Sequence, residues 1–338
     1  MPPVAVIVVS CHVVAAAASS TSISRARDFL HEVGAPSTAR AYGGYEALVD
    51  DEGVDIIYVA TPHSHHYQHV RVALEAGKHV LIKKPITVNA EQCQTRFFPL
   101  SREVCAFIQA GHLGDVVRVF ADFSFWNDVK KEFRGGNAHR MVNMELAGGA
   151  LLDLGIYSLA WVFIALYHGQ SVGEPEVNSA VTKYETGADE TATVLLQFPG
   201  GGHGVATTSI RVATTPNAGH PSPDAVRIQG TLGDLTVDYA PRPRTYTLTP
   251  ATSASRGKLA DFVYEVVDRF AEIPGGGHGM FWEADECARC VRDGKCESEV
   301  MGLGESEVVM RVMDRLRGQA GIRYPGAIES VRYPLEGK

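Results

Sequence analysis

Residues 54–85 read VDIIYVATPHSHHYQHVRVALEAGKHVLIKKP, and this stretch decides the fold class. The apolar run over Val54–Ala60 predicts a buried strand, and the pattern over His65–Ala76 predicts a helix. Gly77 stops that helix, and a second strand is predicted over His79–Ile82. Strands that alternate with short helices are typical of β-α-β units in a parallel sheet with right-handed crossovers. The stretch therefore predicts an α/β, nucleotide-fold domain.

The preceding residues extend the same alternation toward the N-terminus. A strand is predicted over Val13–Ala18, followed by helices over Ile23–Val33 and Tyr45–Asp51. Ligands of parallel sheets bind at the carboxyl ends of the strands. Here those ends are polar, and they read Ser19-Ser20-Thr21, Thr61-Pro62-His63 and Lys83-Lys84-Pro85. These three segments form the predicted ligand-binding edge.

The first domain lacks one expected feature. A dinucleotide-binding sheet normally opens with a strand, the pattern G-x-G-x-x-G and a helix, so that backbone amides hold the pyrophosphate. No glycine precedes Val13, and the glycine clusters at Gly200–Gly204 and Gly275–Gly279 come far too late in the chain. The sequence therefore predicts a truncated Rossmann-like sheet without the phosphate-binding loop.

The pattern changes after about residue 95. Helices are predicted over Leu100–Gly111, Ala150–Tyr167 and Phe281–Gly318. Strand patterns separated by turns rich in Gly, Pro and Asn cover Val116–Phe125, Glu176–Glu185, Glu190–Phe198, Gly204–Val212, Ala225–Gln229 and Leu235–Tyr239. This half predicts an α+β domain with an open, mostly antiparallel sheet. The expected domains are an incomplete nucleotide-fold domain over 1–94 and a second domain over 95–338.

The composition narrows the class of partner. The chain has 338 residues, 45% of them hydrophobic, and a formal net charge of -8 without a long run of Lys or Arg. That charge argues against nucleic acid or an anionic membrane as the main partner, so a small-molecule partner is expected. Residues 1–3 supply no basic side chain for a secretory signal, and the six cysteines have no disulfide spacing. We expect a cytoplasmic location.

Asp153 is a carboxylate within the apolar run GGALLDLGIYSLAWVFIALY over 148–167. A buried carboxylate needs a partner from elsewhere or a shifted pKa. Tyr157 lies four residues on, about one turn away on the same helix face. An acid and a phenol beside a lysine from another segment would make a proton-transfer group. The alternative is that Asp153 caps the helix start and binds backbone amides.

Lys84 and a group of histidines lie at the predicted ligand-binding edge. Lys84 follows an apolar strand, and the like charge of Lys83 would lower its pKa; a solvated lysine pair is the alternative. The four histidines are His63, His65, His66 and His69. The spacing of His65 and His69 would permit a metal, but no third ligand is defined, so no metal is expected. Histidines at this edge favour a substrate or nicotinamide pocket.

Five segments together resemble the Gfo/Idh/MocA oxidoreductase family. They are VDIIYVATPHSHH (54–66), ALEAGKHVLIKKP (73–85), HRMVNMELAGGALLDLGIYSLAWVF (139–163), KYETGADETA (183–192) and GHGMFWEADECARCVRDGK (277–295). The chain is most similar to the family's fungal NADP-dependent D-xylose 1-dehydrogenase and dimeric dihydrodiol dehydrogenase branches. The resemblance implies hydride transfer between NADP, rather than NAD, and a sugar, diol or related hydroxyl or ketone, in a homodimer formed through the open sheet.

The resemblance also implies roles for individual residues. Lys84 matches the family's Glu-Lys-Pro lysine, and Asp153 and Tyr157 match its D-x-x-x-Y pattern. Tyr157 would exchange the substrate proton, while Lys84 and Asp153 would tune and orient it. Cofactor contacts are implied for Ser19, Ser20, Thr21, Arg25, Thr61, His63, His66 and Lys84. Substrate contacts are implied for Arg96, Asp153 and Tyr157.

Three departures from the family pattern leave an alternative open. Lys83 stands where the family has glutamate, the glycine-rich first β-α unit is missing, and about 20 residues of a helix and strand are missing between Asn89–Gln94 and Thr95–Pro99. The alternative is a cofactor-free lyase or isomerase, or a non-catalytic relative that has lost dinucleotide binding. A further alternative is that this sequence lacks coding segments of its gene.

Overall fold

A computed structural model describes residues 12–85, 88, 97–170, 173–216, 224–251, 267–274 and 277–334. The first unit alternates strands and helices as predicted: β1 Ala16–Ala18, α1 Ile23–Glu32, β2 Arg40–Tyr42, α2 Tyr45–Val49, β3 Ile56–Val59, α3 His66–Glu75 and β4 His79–Ile82. The three-residue strand β2 is the one element of this series that the sequence pattern did not predict.

The four strands of this unit form two separate parallel pairs, β1 with β2 and β3 with β4. In the doubly wound order 3-2-1-4-5-6, the second and third strands pair on one side of the first, and the fourth and fifth pair on the other. The two pairs of this chain match those outer positions. Within the described residues, no strand joins the two pairs into one sheet.

A cavity of about 580 Å³ lies between the two parallel pairs. Ala15 and Ala16 line it from the β1 side, and Ile56–Tyr58 line it from the β3 side. The rest of its wall includes Met280, Glu283 and Cys287, which come from a segment much later in the chain. The described strands of the first unit thus form two sheets with a cavity between them.

The second unit is an eight-stranded sheet. Its spatial order is β12-β11-β10-β9-β5-β8-β7-β6, and every neighbouring pair is antiparallel except β5 with β8. The strands are β5 Val116–Asp122, β6 Glu176–Lys183, β7 Asp189–Gln197, β8 His203–Ser209, β9 Val226–Gly230, β10 Gly233–Val237, β11 Thr245–Pro250 and β12 Val267–Phe270. The open, mostly antiparallel sheet is confirmed, and β11 and β12 extend it beyond the predicted strands.

Six α-helices follow β4 within the described residues. They are α4 Pro99–Gln109, α5 Val129–Glu132, α6 Ile156–Leu166, α7 Phe281–Arg292, α8 Leu303–Ala320 and α9 Gly326–Glu329. Every residue of α6 is buried, and the indole N–H of Trp161 donates to the carbonyl of Ala240 at 2.9 Å. The helical run Met144–Leu166 is long and apolar enough to cross a membrane, but 94% of its apolar 18-residue window is buried inside the fold. It is the core helix of the second unit.

Helix α7 returns to the first unit. Met280 and Glu283 line the cavity between the parallel pairs. Nε2 of His12 lies 2.7 Å from Oδ1 of Asp285 in α7. The two structural units are therefore not consecutive along the chain, because a segment of the expected 95–338 domain packs beside the first sheet.

Candidate active site

The end of β4 places Lys84 in the interior of the molecule. Its side chain is buried, and its Nζ lies 3.0 Å from Oδ1 of Asp153. The same ammonium donates to the backbone carbonyl of Asp153. Lys84 is thus a buried cation paired with a carboxylate from the core-helix segment, and the alternative of a solvated lysine is wrong.

Asp153 lies on a π-turn, Leu151–Gly155, that directly precedes α6. Such turns insert an extra residue into a helix and are frequent at functional sites. Burial alone would raise the pKa of Asp153, but the positive charges of Lys84 and Arg140 hold it well below its usual range. Asp153 is therefore a permanently ionised carboxylate at neutral pH.

The helix-cap alternative for Asp153 is wrong, because Asp189 performs that function. The carboxylate of Asp189, at the start of β7, accepts the backbone N–H of Leu151. Gly149 makes the close approach feasible: its φ is +137°, and a Cβ there would lie 2.0 Å from Oδ1 of Asp189. Asp189 thus holds the start of the π-turn and leaves Asp153 free to bind Lys84.

The raised pKa of Asp189 predicts that the free energy of unfolding depends on pH. Burial raises the pKa of Asp189 to about 6, against 3.8 for an ordinary aspartate, although the backbone N–H of Leu151 acts in the opposite direction. Between pH 4 and 6 the folded state holds a proton that the unfolded chain releases, so this residue's contribution to the free energy of unfolding falls by roughly 3 kcal/mol as pH rises. Asp189→Asn should remove that fall, as urea unfolding of both proteins from pH 4 to 7 would measure. Equal slopes in both proteins would contradict the assignment.

Tyr157 also contacts Lys84. The Nζ of Lys84 lies 5.0 Å from the centroid of the Tyr157 ring, which packs edge-on against Phe123 at 5.3 Å. The phenol side chain is 8% exposed. The structure therefore brings the predicted lysine, aspartate and tyrosine together around one ammonium group.

The two candidate histidines differ in their surroundings. His63 lies with Nε2 3.9 Å from Oδ1 of Asp153, and burial lowers its pKa to about 3, so its ring is neutral. His66 is fully buried, and its ring nitrogens lie 2.5 Å from the carbonyl oxygen of Pro85 and 2.7 Å from that of Thr61. His66 was expected to contact the cofactor. In the structure, both of its ring nitrogens instead face backbone carbonyls at the ends of β3 and β4.

Arg140 belongs to this cluster, although sequence reasoning did not select it. Its guanidinium lies 3.4 Å from Oδ2 of Asp153, and its side chain is 60% exposed. Arg140, Lys83, Thr61, His63 and Asp153 line a cavity of about 140 Å³. Lys84 and Tyr157 are not among its lining residues. The cavity therefore reaches the buried pair from the Asp153 side.

The other predicted cofactor residues lie at the end of β1. Ser19 is buried and its Oγ accepts the backbone N–H of Thr21, while Ser20, Thr21 and Arg25 are exposed at the start of α1. The first turn of α1 contains no acidic residue, and Ser22 caps it. An acidic side chain near this position would bind the ribose hydroxyls of NAD, whereas an arginine accommodates the 2′-phosphate of NADP.

These observations test whether the site fits NADP. The end of β1 fits the phosphate-bearing adenosine end, and Thr61 and His63 at the end of β3 fit the nicotinamide end. No glycine-rich turn joins a strand to a helix in the described part of the first unit. The residues present therefore fit both ends of the dinucleotide, without the usual pyrophosphate loop.

Two further expectations concern residues outside this cluster. Arg96, the predicted substrate-pocket arginine, lies outside the described residues. His69 bonds through Nδ1 to Thr61 Oγ1 at 2.9 Å, and its ring stacks with that of His65. Among residues 12–334 outside the undescribed gaps, no group of three or more His, Cys, Asp or Glu side chains could hold a metal ion.

The parallel strand-helix unit, the antiparallel sheet and the Lys-Asp-Tyr cluster define the class of two-domain, nucleotide-dependent oxidoreductases. Sequence comparison agrees: residues 9–102 match the oxidoreductase family with an NAD-binding Rossmann fold, and residues 101–236 match the GFO/IDH/MocA C-terminal domain. The chain belongs to the Gfo/Idh/MocA family.

Curated relatives match almost the whole chain. The D-xylose 1-dehydrogenase (NADP(+)) of Hypocrea jecorina is 41% identical over 353 aligned positions, which cover 95% of this chain and 87% of that enzyme. The trans-1,2-dihydrobenzene-1,2-diol dehydrogenase of Homo sapiens is 33% identical, covering 91% of this chain and 89% of that enzyme. The two enzymes represent the two family branches that the sequence resembles, the D-xylose 1-dehydrogenases and the dihydrodiol dehydrogenases.

Solved structures share the fold at lower identity. The aldose-aldose oxidoreductase of Caulobacter crescentus, solved with glycerol, superposes with a TM-score of 0.69 at 21% identity, covering 89% of this chain and 88% of that chain. This likeness supports the two-unit architecture described above.

Proposed function

We propose that this protein is an NADP-dependent dehydrogenase or reductase that transfers a hydride between NADP(H) and a CH–OH group of a sugar, diol or related hydroxyl or ketone. The observation that carries the proposal is the buried Lys84–Asp153 pair against Tyr157, in a chain 41% identical to an NADP-dependent D-xylose 1-dehydrogenase. NADP, when bound, supplies the acceptor or donor of the hydride.

The chain's own residues supply the proton transfer. When an alcohol is oxidised, its hydroxyl must lose a proton, and the phenol oxygen of Tyr157 takes and returns this proton. The positive charge of Lys84, 5.0 Å from the tyrosine ring, favours the phenolate that proton transfer requires. The ionised Asp153 fixes the Lys84 ammonium through two contacts, so Asp153 acts as a positioning residue.

The cofactor would be held at its two ends. Ser20, Thr21 and Arg25 lie at the end of β1 for the adenosine 2′-phosphate, and Thr61 and His63 lie at the end of β3 for the nicotinamide. The neutral ring of His63 offers a hydrogen bond without adding charge. The cofactor-free lyase, isomerase or binding-protein alternative is not favoured by the comparisons, since the relatives that cover the chain are dehydrogenases.

The proposal is tested by following NADPH absorbance at 340 nm with purified protein, NADP⁺ and a panel containing D-xylose, other aldoses, vicinal diols and sugar acids. We expect NADP⁺-dependent oxidation of at least one member, and no reaction when NAD⁺ replaces NADP⁺ at equal concentration. Absence of turnover across the panel and in the reductive direction would contradict it.

The choice of NADP over NAD is expected to depend on Arg25. Arg25→Ala removes the cation at the end of β1 and should weaken NADPH binding by about 10- to 100-fold while leaving NADH binding unchanged. Arg27→Ala, an exposed arginine later in α1, is the matched control. Fluorescence titration with both cofactors measures the effect, and equal losses for NADPH and NADH would argue against a 2′-phosphate contact.

We further propose a homodimer formed through the uncovered face of the large sheet. Phe120, Val205 and Leu195 stand side by side on β5, β8 and β7, and Phe120 and Leu195 are 40% and 44% exposed. An apolar row of this kind is typical of an interface. Phe120→Glu should shift the molecular mass measured by light scattering from dimer to monomer, and a wild-type monomer would refute the dimer.

We also propose a cytoplasmic location for this enzyme and a small molecule as its partner. The cysteines in the described residues, Cys105, Cys287, Cys290 and Cys296, are free thiols, as a reducing compartment favours.

A further inference from the structure

The cavity beside Asp153 carries an excess of positive charge. Lys83 and Arg140 line it, and Lys84 lies immediately behind Asp153, whereas Asp153 is the one carboxylate among the described lining residues. His63, which also lines the cavity, is neutral because burial lowers its pKa to about 3. Two cations and one carboxylate thus line the cavity, and a third cation, Lys84, binds that carboxylate from behind.

Asp153 cannot neutralise this charge by itself. Its Oδ1 lies 3.0 Å from Lys84 and its Oδ2 lies 3.4 Å from Arg140, so both oxygens already face a cation. Lys83 forms no salt bridge with any described carboxylate. Burial lowers the pKa of Lys83, as do the charges of Lys84 and Arg140, whereas Asp153 and Glu283 raise it. Lys83 is thus held beside two like charges without a close counter-ion of its own.

Lys83 and Lys84 are adjacent at the end of β4, so two positive charges lie directly beside the proposed proton-transfer group. A cluster of like charges in a partly exposed cavity is stabilised when an anion enters, and the same field attracts such an anion from solution. Arg140 can bind an oxyanion through two N–H groups, and Lys83 adds a point charge.

We propose that the cavity lined by Lys83 and Arg140 binds a small oxyanion, a carboxylate or a phosphate, carried by the substrate next to the hydroxyl that is oxidised. The proposal rests on the proposed function and makes its substrate class more specific: an anionic sugar derivative, such as a sugar acid or sugar phosphate, in preference to a neutral sugar. A cavity of about 140 Å³ suits one such group and is smaller than a complete ligand site.

The test compares neutral and anionic sugars of the same stereochemistry: D-glucose, D-glucuronate and D-glucose 6-phosphate. Calorimetric titration into the cofactor-free protein measures binding without turnover, and kcat/KM with NADP⁺ is measured in parallel. We expect one of the two anions to bind at least about 10-fold more tightly than D-glucose. Lys83→Glu should lower that preference by about 10- to 100-fold, whereas the matched exchange Lys130→Glu, on the exposed helix α5, should not change it.

Comparing NADPH binding with sugar binding shows whether the bound anion belongs to the cofactor or to the substrate. If Lys83→Glu weakens NADPH binding by the same factor and leaves the sugar preference unchanged, the anion belongs to the cofactor and the proposal is overturned. Equal affinity of wild-type protein for neutral and anionic sugars would also overturn it. Selective anion binding without any NADPH-linked turnover would instead uphold the anion site and count against the proposed function.

Discussion

Replacing Tyr157 with phenylalanine is expected to lower kcat/KM for NADP-linked oxidation by about 10²- to 10⁴-fold, the range over which positioned proton transfer accelerates a reaction. The variant retains the ring that packs against Phe123 and faces the Lys84 ammonium, so the fold should remain intact. Only the hydroxyl that accepts the substrate proton is lost. Steady-state kinetics at several pH values measures the effect.

The matched control for this variant is Tyr184→Phe. Tyr184 directly follows β6, and its hydroxyl donates to the backbone carbonyls of Val129 and Phe133. Its loss should leave kcat/KM within a few-fold of the wild-type value. NADPH affinity of Tyr157→Phe should also stay unchanged, because the phenol acts on the substrate. Full activity in Tyr157→Phe would remove Tyr157 from the mechanism.

Replacing Asp153 with asparagine is expected to destabilise the protein by about 3–5 kcal/mol, since it leaves the buried ammonium of Lys84 without its counter-ion. The side chains of Lys84 and Asp153 are 6% and 13% exposed, so the Lys84 ammonium depends mainly on Asp153 for its compensation. The same change frees Arg140 from its contact with Oδ2 and should also abolish activity. The free energy of unfolding in urea measures the first effect.

A double variant separates the stability effect from the catalytic one. Lys84→Met combined with Asp153→Leu replaces the ion pair with apolar groups and should recover most of the lost stability, because a buried pair seldom outweighs its own desolvation. Activity should remain lost. If Asp153→Asn alone has wild-type stability, Lys84 must have another counter-ion, and the described pairing would be wrong.

The sequence indicated that Asp153 needs a partner from another segment or a backbone cap, because it lies in an apolar run, and the family resemblance supplied Lys84 as that partner. A charge buried by its neighbours must meet an opposite charge, and the β-α-β pattern placed Lys84 at the ligand-binding edge. The same reasoning could not find Arg140. It lies in the irregular segment 139–148, where no helical or strand period shows which side chains point toward the site.

The contact between Asp189 and Leu151 could not be predicted from the sequence, for a different reason. It joins a strand to a π-turn 38 residues earlier, and neither the turn nor the approach through Gly149 follows from a local pattern. His66 was misplaced because a histidine near a strand end can face the ligand or the sheet with equal local sequence. Strand β2, only three residues long, and the parallel pairing of β5 with β8 depend on tertiary contacts that hydrophobic periodicity does not encode.

The divided first sheet was predictable in part. The absence of glycine before Val13 predicts that the glycine-rich phosphate loop is missing, and the described strands of this unit form two separate parallel pairs. The polar ends of these pairs nevertheless retain Arg25 at one side and His63 at the other. The central claim is that these ends still bind NADP.

Fluorescence titration of the purified full-length protein with NADPH tests that claim most directly. The account predicts saturable binding below about 1 mM, the upper range of ordinary enzyme affinities, with a weaker response to NADH. The Arg25→Ala variant should remove the difference between the two cofactors. No saturable NADPH signal up to that concentration would contradict the claim and leave a fold that has lost its dinucleotide.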